Sequence, residues 1–219
     1  MKVYFISGLA ADSRVFKHIQ LPEGFEVIHL EWISPVKNES LASYAARLAE
    51  KIDTNEAFAL VGLSMGGMIA AEIAKLYPPK VTILLSSVPV NTHLPYYFSW
   101  AYRFKLHRMV PVNLLKKASL YKRVLAPDSP EDKIILKQVI KDSHPAFIKW
   151  AMQAILSWKN EDLPQPYWHI HGSKDEILPL KYTKPTHTIA GGNHLMVMNK
   201  AGELNALLAE LLTSISVQQ

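Results

Sequence analysis

The stretch Phe58-Ala59-Leu60-Val61-Gly62-Leu63-Ser64-Met65-Gly66-Gly67-Met68-Ile69-Ala70-Ala71 decides the fold. An apolar run from Phe58 to Leu63 reads as a buried strand. It stops at Ser64, and an apolar stretch of helical character follows from Met68 to Leu76. Strand, abrupt turn and helix place a serine at the apex, in the pattern G-x-S-x-G. A serine in so tight a turn is expected at positive φ, with its hydroxyl pushed into the open. Bulky side chains two residues to either side would clash across the turn, so Gly62 and Gly66 stand there. The first N–H groups of the following helix point at any negative charge that develops beside Ser64.

Outward from this stretch, strands alternate with helices. Lys2–Ser7, Phe25–Leu30, Val81–Ser86, Tyr167–His171 and His187–Ile189 read as further strands. Asp12 or Ser13 caps a short helix reaching Ile19. Ser40 caps a helix whose apolar positions Leu41, Tyr44, Ala45, Leu48, Ala49 and Ile52 fall on one face. Pro78-Pro79 ends the helix after the serine, and Ala201–Ile215 closes the chain as an amphipathic helix. Strands separated by helices imply parallel pairing, with the sheet covered on both faces. The alternation breaks at Val88. Helical periodicity then runs through Tyr96–His107, Val112–Val124, Pro130–Asp142 and Pro145–Trp158, which reads as a helical lid inserted at about 90–163 in a single domain spanning 1–219.

Composition sets the outer bounds. The 219 residues suffice for one large core, and 49% hydrophobic with 20% charged residues argues against disorder. No apolar run approaches the ~20 residues of a membrane span. Met1 leads almost directly into Val3-Tyr4-Phe5-Ile6-Ser7, without the layout of an export signal, so the expected compartment is the cytoplasm. There is no cysteine, hence no disulfide framework and no thiolate. The net charge of +5 is too small and dispersed to argue for nucleic acid without a matching motif.

A serine hydroxyl is a poor nucleophile until a base takes its proton, and a carboxylate that orients the base completes the set. Two loops supply candidates. His171-Gly172-Ser173-Lys174-Asp175-Glu176-Ile177-Leu178-Pro179 follows the fifth strand, and Ala190-Gly191-Gly192-Asn193-His194 follows the sixth. Functional groups of α/β sheets gather at such carboxyl ends. Together with the serine turn, these stretches resemble the α/β-hydrolase superfamily: the nucleophile elbow, the acid loop H-G-x-x-D-x-x-x-P and the histidine loop G-x-x-H, in the order serine, acid, histidine. The resemblance covers the chain apart from the lid. It implies a trimmed, mostly parallel sheet of about six strands, because the chain starts at the strand that precedes the oxyanion loop.

The resemblance assigns Ser64 as nucleophile, His194 as base and Asp175 as acid, with Glu176 the rival carboxylate. It places the oxyanion hole at the backbone N–H groups of Met65 and Leu9. Many relatives carry His-Gly where this chain has Ser7-Gly8, which leaves the support of that loop open. The implied activity is hydrolysis of an ester or similar acyl bond in a small, partly apolar substrate. The alternatives are a thioester, lactone or C–C hydrolase on the same residues, or a catalytically silent ligand-binding protein. No cofactor and no metal are expected. His169 and His171, two apart on a strand, face one side and with Asp175 raise a metal site as the lesser alternative; the simpler reading packs His169 beneath the acid loop.

The lid is rich in aromatic residues: Tyr96, Tyr97, Phe98, Trp100, Tyr102, Phe104, Phe147, Trp150 and Trp158. They read either as the roof of an apolar pocket or as packing between lid and sheet. Residues 101–150 hold eleven Lys/Arg and four Asp/Glu, a balance of +7. Solvated helix faces account for it most simply, with an anionic substrate, an acidic partner or a membrane surface as sharper readings.

Overall fold

The computed structural model describes residues 1–105 and 127–216. Six strands form one sheet: β1 (Lys2–Ile6), β2 (Glu26–His29), β3 (Phe58–Leu63), β4 (Val81–Leu85), β5 (Tyr167–Gly172) and β6 (His187–Ile189). The order across the sheet is β2-β1-β3-β4-β5-β6, and every neighbouring pair is parallel. From β1 the chain first moves outward to β2, then crosses back to β3 on the other side of β1. The strand order therefore reverses at β1 and β3, and a crevice opens at the carboxyl ends of these two strands.

Alternation along the strands splits the core in two. Val3, Phe5, Val61, Ile83 and Leu85 face one way, onto Val15 and Phe16 and onto Leu204, Leu208 and Leu212 of the closing helix α7 (Ala201–Ser216). Tyr4, Ile6, Leu60 and Leu84 face the other way, onto α1 (Leu41–Ala49) and α2 (Met65–Leu76). α1 starts where the sequence predicts, with Ser40 Oγ accepting the Ser43 N–H at 3.1 Å, a cap worth ~1 kcal/mol. The turn of helix predicted as far as Ile19 is a 3-10 segment, Ser13–Phe16, capped by Asp12. A short helix α6, Met196–Asn199, was not expected from the sequence.

Between β4 and β5 the described residues form α3 (Tyr96–Arg103), α4 (Pro130–Asp142) and α5 (Pro145–Leu156). Pro130 and Pro145 each sit in a first helical turn, where the missing N–H costs nothing. Leu136, Val139 and Ile140 of α4 join the first core cluster, whereas Phe147, Ala151 and Ala154 of α5 join the second. These two helices straddle the sheet. α4 is tied to the segment after β1 by charge: Arg14 Nη2 lies 2.9 Å from Asp142, and Lys17 Nζ lies 3.1 Å from the buried Asp132. The segment that leaves α5 is tied to α2 by Trp158 Nε1, which donates to the buried Glu72 at 2.7 Å. The predicted helix Val112–Val124 and the end of Tyr96–His107 lie outside the described residues.

Candidate active site

Ser64 stands between β3 and α2 with φ 53° and ψ −118°, a conformation that costs a non-glycine residue ~1–3 kcal/mol. Its surroundings hold it there. The Ser64 N–H donates to the Leu85 carbonyl at 2.9 Å, and its own carbonyl accepts from the Gly67 N–H at 3.0 Å and from Ser87 Oγ at 2.6 Å. A side chain at Gly66 would drive into the carbonyls of Ile6 and Ser7, and one at Gly62 into the backbone of Gly66 and Gly67. The glycines of the turn thus answer to close packing of backbone on backbone. Ala10 and Ser86 also have positive φ, at 56° and 45°. Three of the five described non-glycine residues with positive φ thus follow three adjacent strands; the other two, Asn38 and Lys105, lie away from the strand ends.

The two loops proposed from the sequence meet this serine. His194 Nε2 lies 2.9 Å from Ser64 Oγ, and His194 Nδ1 lies 2.7 Å from Asp175 Oδ2. The other carboxylate oxygen, Asp175 Oδ1, accepts the N–H groups of Ile177 and Leu178 at 2.9 and 2.8 Å. Burial alone pushes the Asp175 carboxyl up; the neighbouring His194 and its hydrogen bond, the His171 ring 3.3 Å away and the Leu178 N–H outweigh it and hold the carboxyl well below the usual carboxylate range. An ionised carboxylate only accepts, so His194 Nδ1 carries the proton and Nε2 offers its lone pair to the hydroxyl. Glu176 is exposed, whereas Asp175 is 4% exposed. Geometry therefore selects Asp175 as the partner of His194.

The loop after β1 is better supported than its sequence suggests. Ser7 Oγ and Trp32 Nε1 both donate to the Ala11 carbonyl, at 3.0 and 2.8 Å, and the Ala11 N–H closes a turn onto the Gly8 carbonyl at 3.1 Å. Ser7 and Trp32 are supports that no motif announces; the signal available was a polar residue at the end of an apolar strand. Gly8 lies against Ser64, where an added Cβ would stand 3.3 Å from the Ser64 Cβ.

Ser64, His194, Leu9 and Met65 line a cavity of about 400 Å³. Its remaining wall is apolar: Met68 from α2, Leu136 and Ile140 from α4, Met152, Ile155 and Leu156 from α5, with Phe98 from α3. Of the nine aromatic residues expected either to roof the pocket or to pack lid against sheet, Phe98 alone is among the described lining residues; the rest of the helical wall is aliphatic or methionine. Phe147 and Trp150 pack instead on Trp32 and Tyr44, and Trp158 is buried against α2. Tyr96, Tyr97, Trp100, Tyr102 and Phe104 are exposed. No lysine or arginine is among the described residues that line the cavity. His169 and His171 do face one side of β5, with His169 Nε2 3.1 Å from His171 Nδ1. Among the described residues no group of His, Asp or Glu is arranged to hold a metal ion, and no helix is long and apolar enough to cross a membrane.

Residues 3–207 match the model of a family described as the alpha/beta hydrolase family. No curated protein matches the sequence. Solved structures do. A thermophilic esterase from Thermogutta terrifontis is 18% identical with a TM-score of 0.72, over 98% of this chain and 90% of that one. MenH from S. aureus is 17% identical with a TM-score of 0.72, over 99% and 94%. An esterase from Exiguobacterium antarcticum is 16% identical with a TM-score of 0.74, over 99% and 92%. What these three share with the chain at such identity is the fold.

Proposed function

The chain belongs to the alpha/beta hydrolase family, and from that premise we propose that it is a serine hydrolase cleaving a carboxylic ester or similar acyl bond. The observation that carries the reading is the continuous string Ser64 Oγ, His194, Asp175, with links of 2.9 and 2.7 Å, opening into an apolar cavity. Ser64 Oγ attacks the acyl carbon as His194 Nε2 takes its proton. Asp175 keeps His194 in the required tautomer and stabilises the imidazolium. The N–H groups of Met65 and Leu9 receive the negative oxygen of the tetrahedral intermediate. His194 then protonates the leaving alcohol, and water repeats the sequence on the acyl-enzyme to release the acid. The apolar wall suits an uncharged, apolar acyl group, since a buried carboxylate would have no cation to meet among the described lining residues. No cofactor enters any step.

The test is hydrolysis of short-chain p-nitrophenyl esters by wild type and Ser64→Ala. The substitution should lower kcat by ~10³-fold or more with the fold intact. Activity within tenfold of wild type in the purified variant would sink the assignment.

A further inference from the structure

Behind the string that reaches Ser64 lies a second polar string that the reaction above does not use. His169 and His171 are both fully buried on β5, where two imidazoles are a costly choice beside Val or Ile. His171 Nε2 lies 2.7 Å from the carbonyl oxygen of Leu178 and 3.3 Å from Asp175 Oδ2. Both of those oxygens only accept, so His171 Nε2 carries a proton. In a neutral imidazole Nδ1 is then bare, and it accepts from His169 Nε2–H, 3.1 Å away. Burial, with His171 and His93 adding to it, pushes His169 down to about 3, which keeps that ring neutral.

The consequence falls on the acid loop. Leu178 is gripped through both of its backbone groups: its N–H donates to Asp175 Oδ1 at 2.8 Å, and its carbonyl accepts from His171. Its side chain is buried and lines the cavity. Asp175 Oδ2 in turn has two imidazole neighbours, His194 at 2.7 Å and His171 at 3.3 Å. On the serine hydrolase reading, on which this inference rests, we propose that His171 is a positioning residue for Asp175. It fixes the turn from Asp175 to Leu178 and shares the carboxylate with His194, which moderates the pull of that carboxylate on the His194 Nδ1 proton. His169 sets the tautomer in which His171 does this. The charged and titratable groups around the pair are Asp175 and His194 on one side and His93 on the other, with the charge of Lys184 acting on His93.

The sign of the effect follows. Without the His171 donor the carboxylate is more basic, the His194 imidazolium is favoured, and a higher pH is needed to free the base. The experiment compares His171→Leu, His171→Gln and His169→Leu with wild type, on one neutral ester, as kcat/KM against pH. His171→Leu should lose about tenfold in kcat, the rate equivalent of one hydrogen bond, that to the Leu178 carbonyl, with KM within about twofold. Its acid limb should rise by about half a pH unit. His171→Gln, whose amide N–H falls near the former Nε2, should regain most of kcat and return the limb. His169→Leu should move the limb the same way by less. A merely structural role would lower the amplitude by reducing the folded fraction and leave the limb in place. Equal losses in the Leu and Gln variants with an unmoved or lowered limb, or wild-type behaviour in both, would overturn the proposal. Failure of the underlying reading shows separately, as undiminished hydrolysis by Ser64→Ala in the same assay.

Discussion

The loops at the carboxyl ends of the strands and the helices α4 and α5 that line the cavity are built differently. Around Ser64 the backbone is strained and pinned: positive φ at Ser64, Ala10 and Ser86, with the elbow carbonyl held by Ser87 and the acid turn by its own N–H groups. The helices α4 and α5 rest on apolar packing and a few side-chain ties, Arg14–Asp142, Lys17–Asp132 and Trp158–Glu72. Strain that survives only under close support suits a fixed reacting geometry. Apolar packing without backbone pairing suits a wall that can be repacked to fit another substrate. The two regions should therefore fail differently when altered.

The largest loss beyond that of Ser64→Ala should come from the acid. Asp175→Asn should lower kcat by ~10³–10⁴-fold by setting the wrong tautomer in His194, while the exposed Glu176→Gln should leave it within about twofold; steady-state kinetics of the two variants decides, and the reverse ranking would mean the wrong carboxylate. On the helices the effect should be one of selectivity. Met152 is half-buried on α5 and lines the cavity, so Met152→Trp should cut kcat/KM for an octanoyl ester by about tenfold relative to an acetyl ester, with the acetyl rate little changed. A parallel loss for both esters would show that α5 serves the chemistry and not the choice of substrate.

The smallest effect is on acid stability. Burial raises the Asp132 carboxyl, but hydrogen bonds from Lys17 and His18 outweigh it and leave it lowered. A carboxyl lowered by folding contributes stability that is fully present above its unfolded value, ~3.9, and is lost as pH falls below it. Asp132→Asn should therefore lower Tm at pH 7 and flatten its decline between pH 5 and 3. An unaltered slope would mean that the contacts of Lys17 and His18 with Asp132 add nothing to the hold on α4.

The same contrast governs what the sequence discloses. Phe58–Leu63 is a strand over the residues its apolar run marks, and the five other strands fall within one or two residues of their predicted ends. Short local patterns place Ser64, Asp175 and His194 on loops after strands, and parallel pairing then brings those loops together. Which helix residues line the cavity was not legible in this way. A helix repeat tells which face is apolar, not what that face meets, so Phe147 and Trp150 went to Tyr44 while Leu136, Ile140 and Met152 took the cavity wall. The Ser7 and Trp32 supports of the β1 loop, and the contact from His171 to Asp175, join residues whose pairing depends on the folded loops.

The central claim is that one hydroxyl, that of Ser64, is activated by its place in the fold. A fluorophosphonate tests it most directly, because it phosphonylates an activated serine and leaves ordinary serines untouched. Intact-mass and peptide analysis of the labelled protein should show a single adduct on the peptide containing Ser64, with labelling slowed at least tenfold in His194→Ala. An adduct on any other serine, or a folded protein that hydrolyses esters and takes no label at Ser64, would contradict the account.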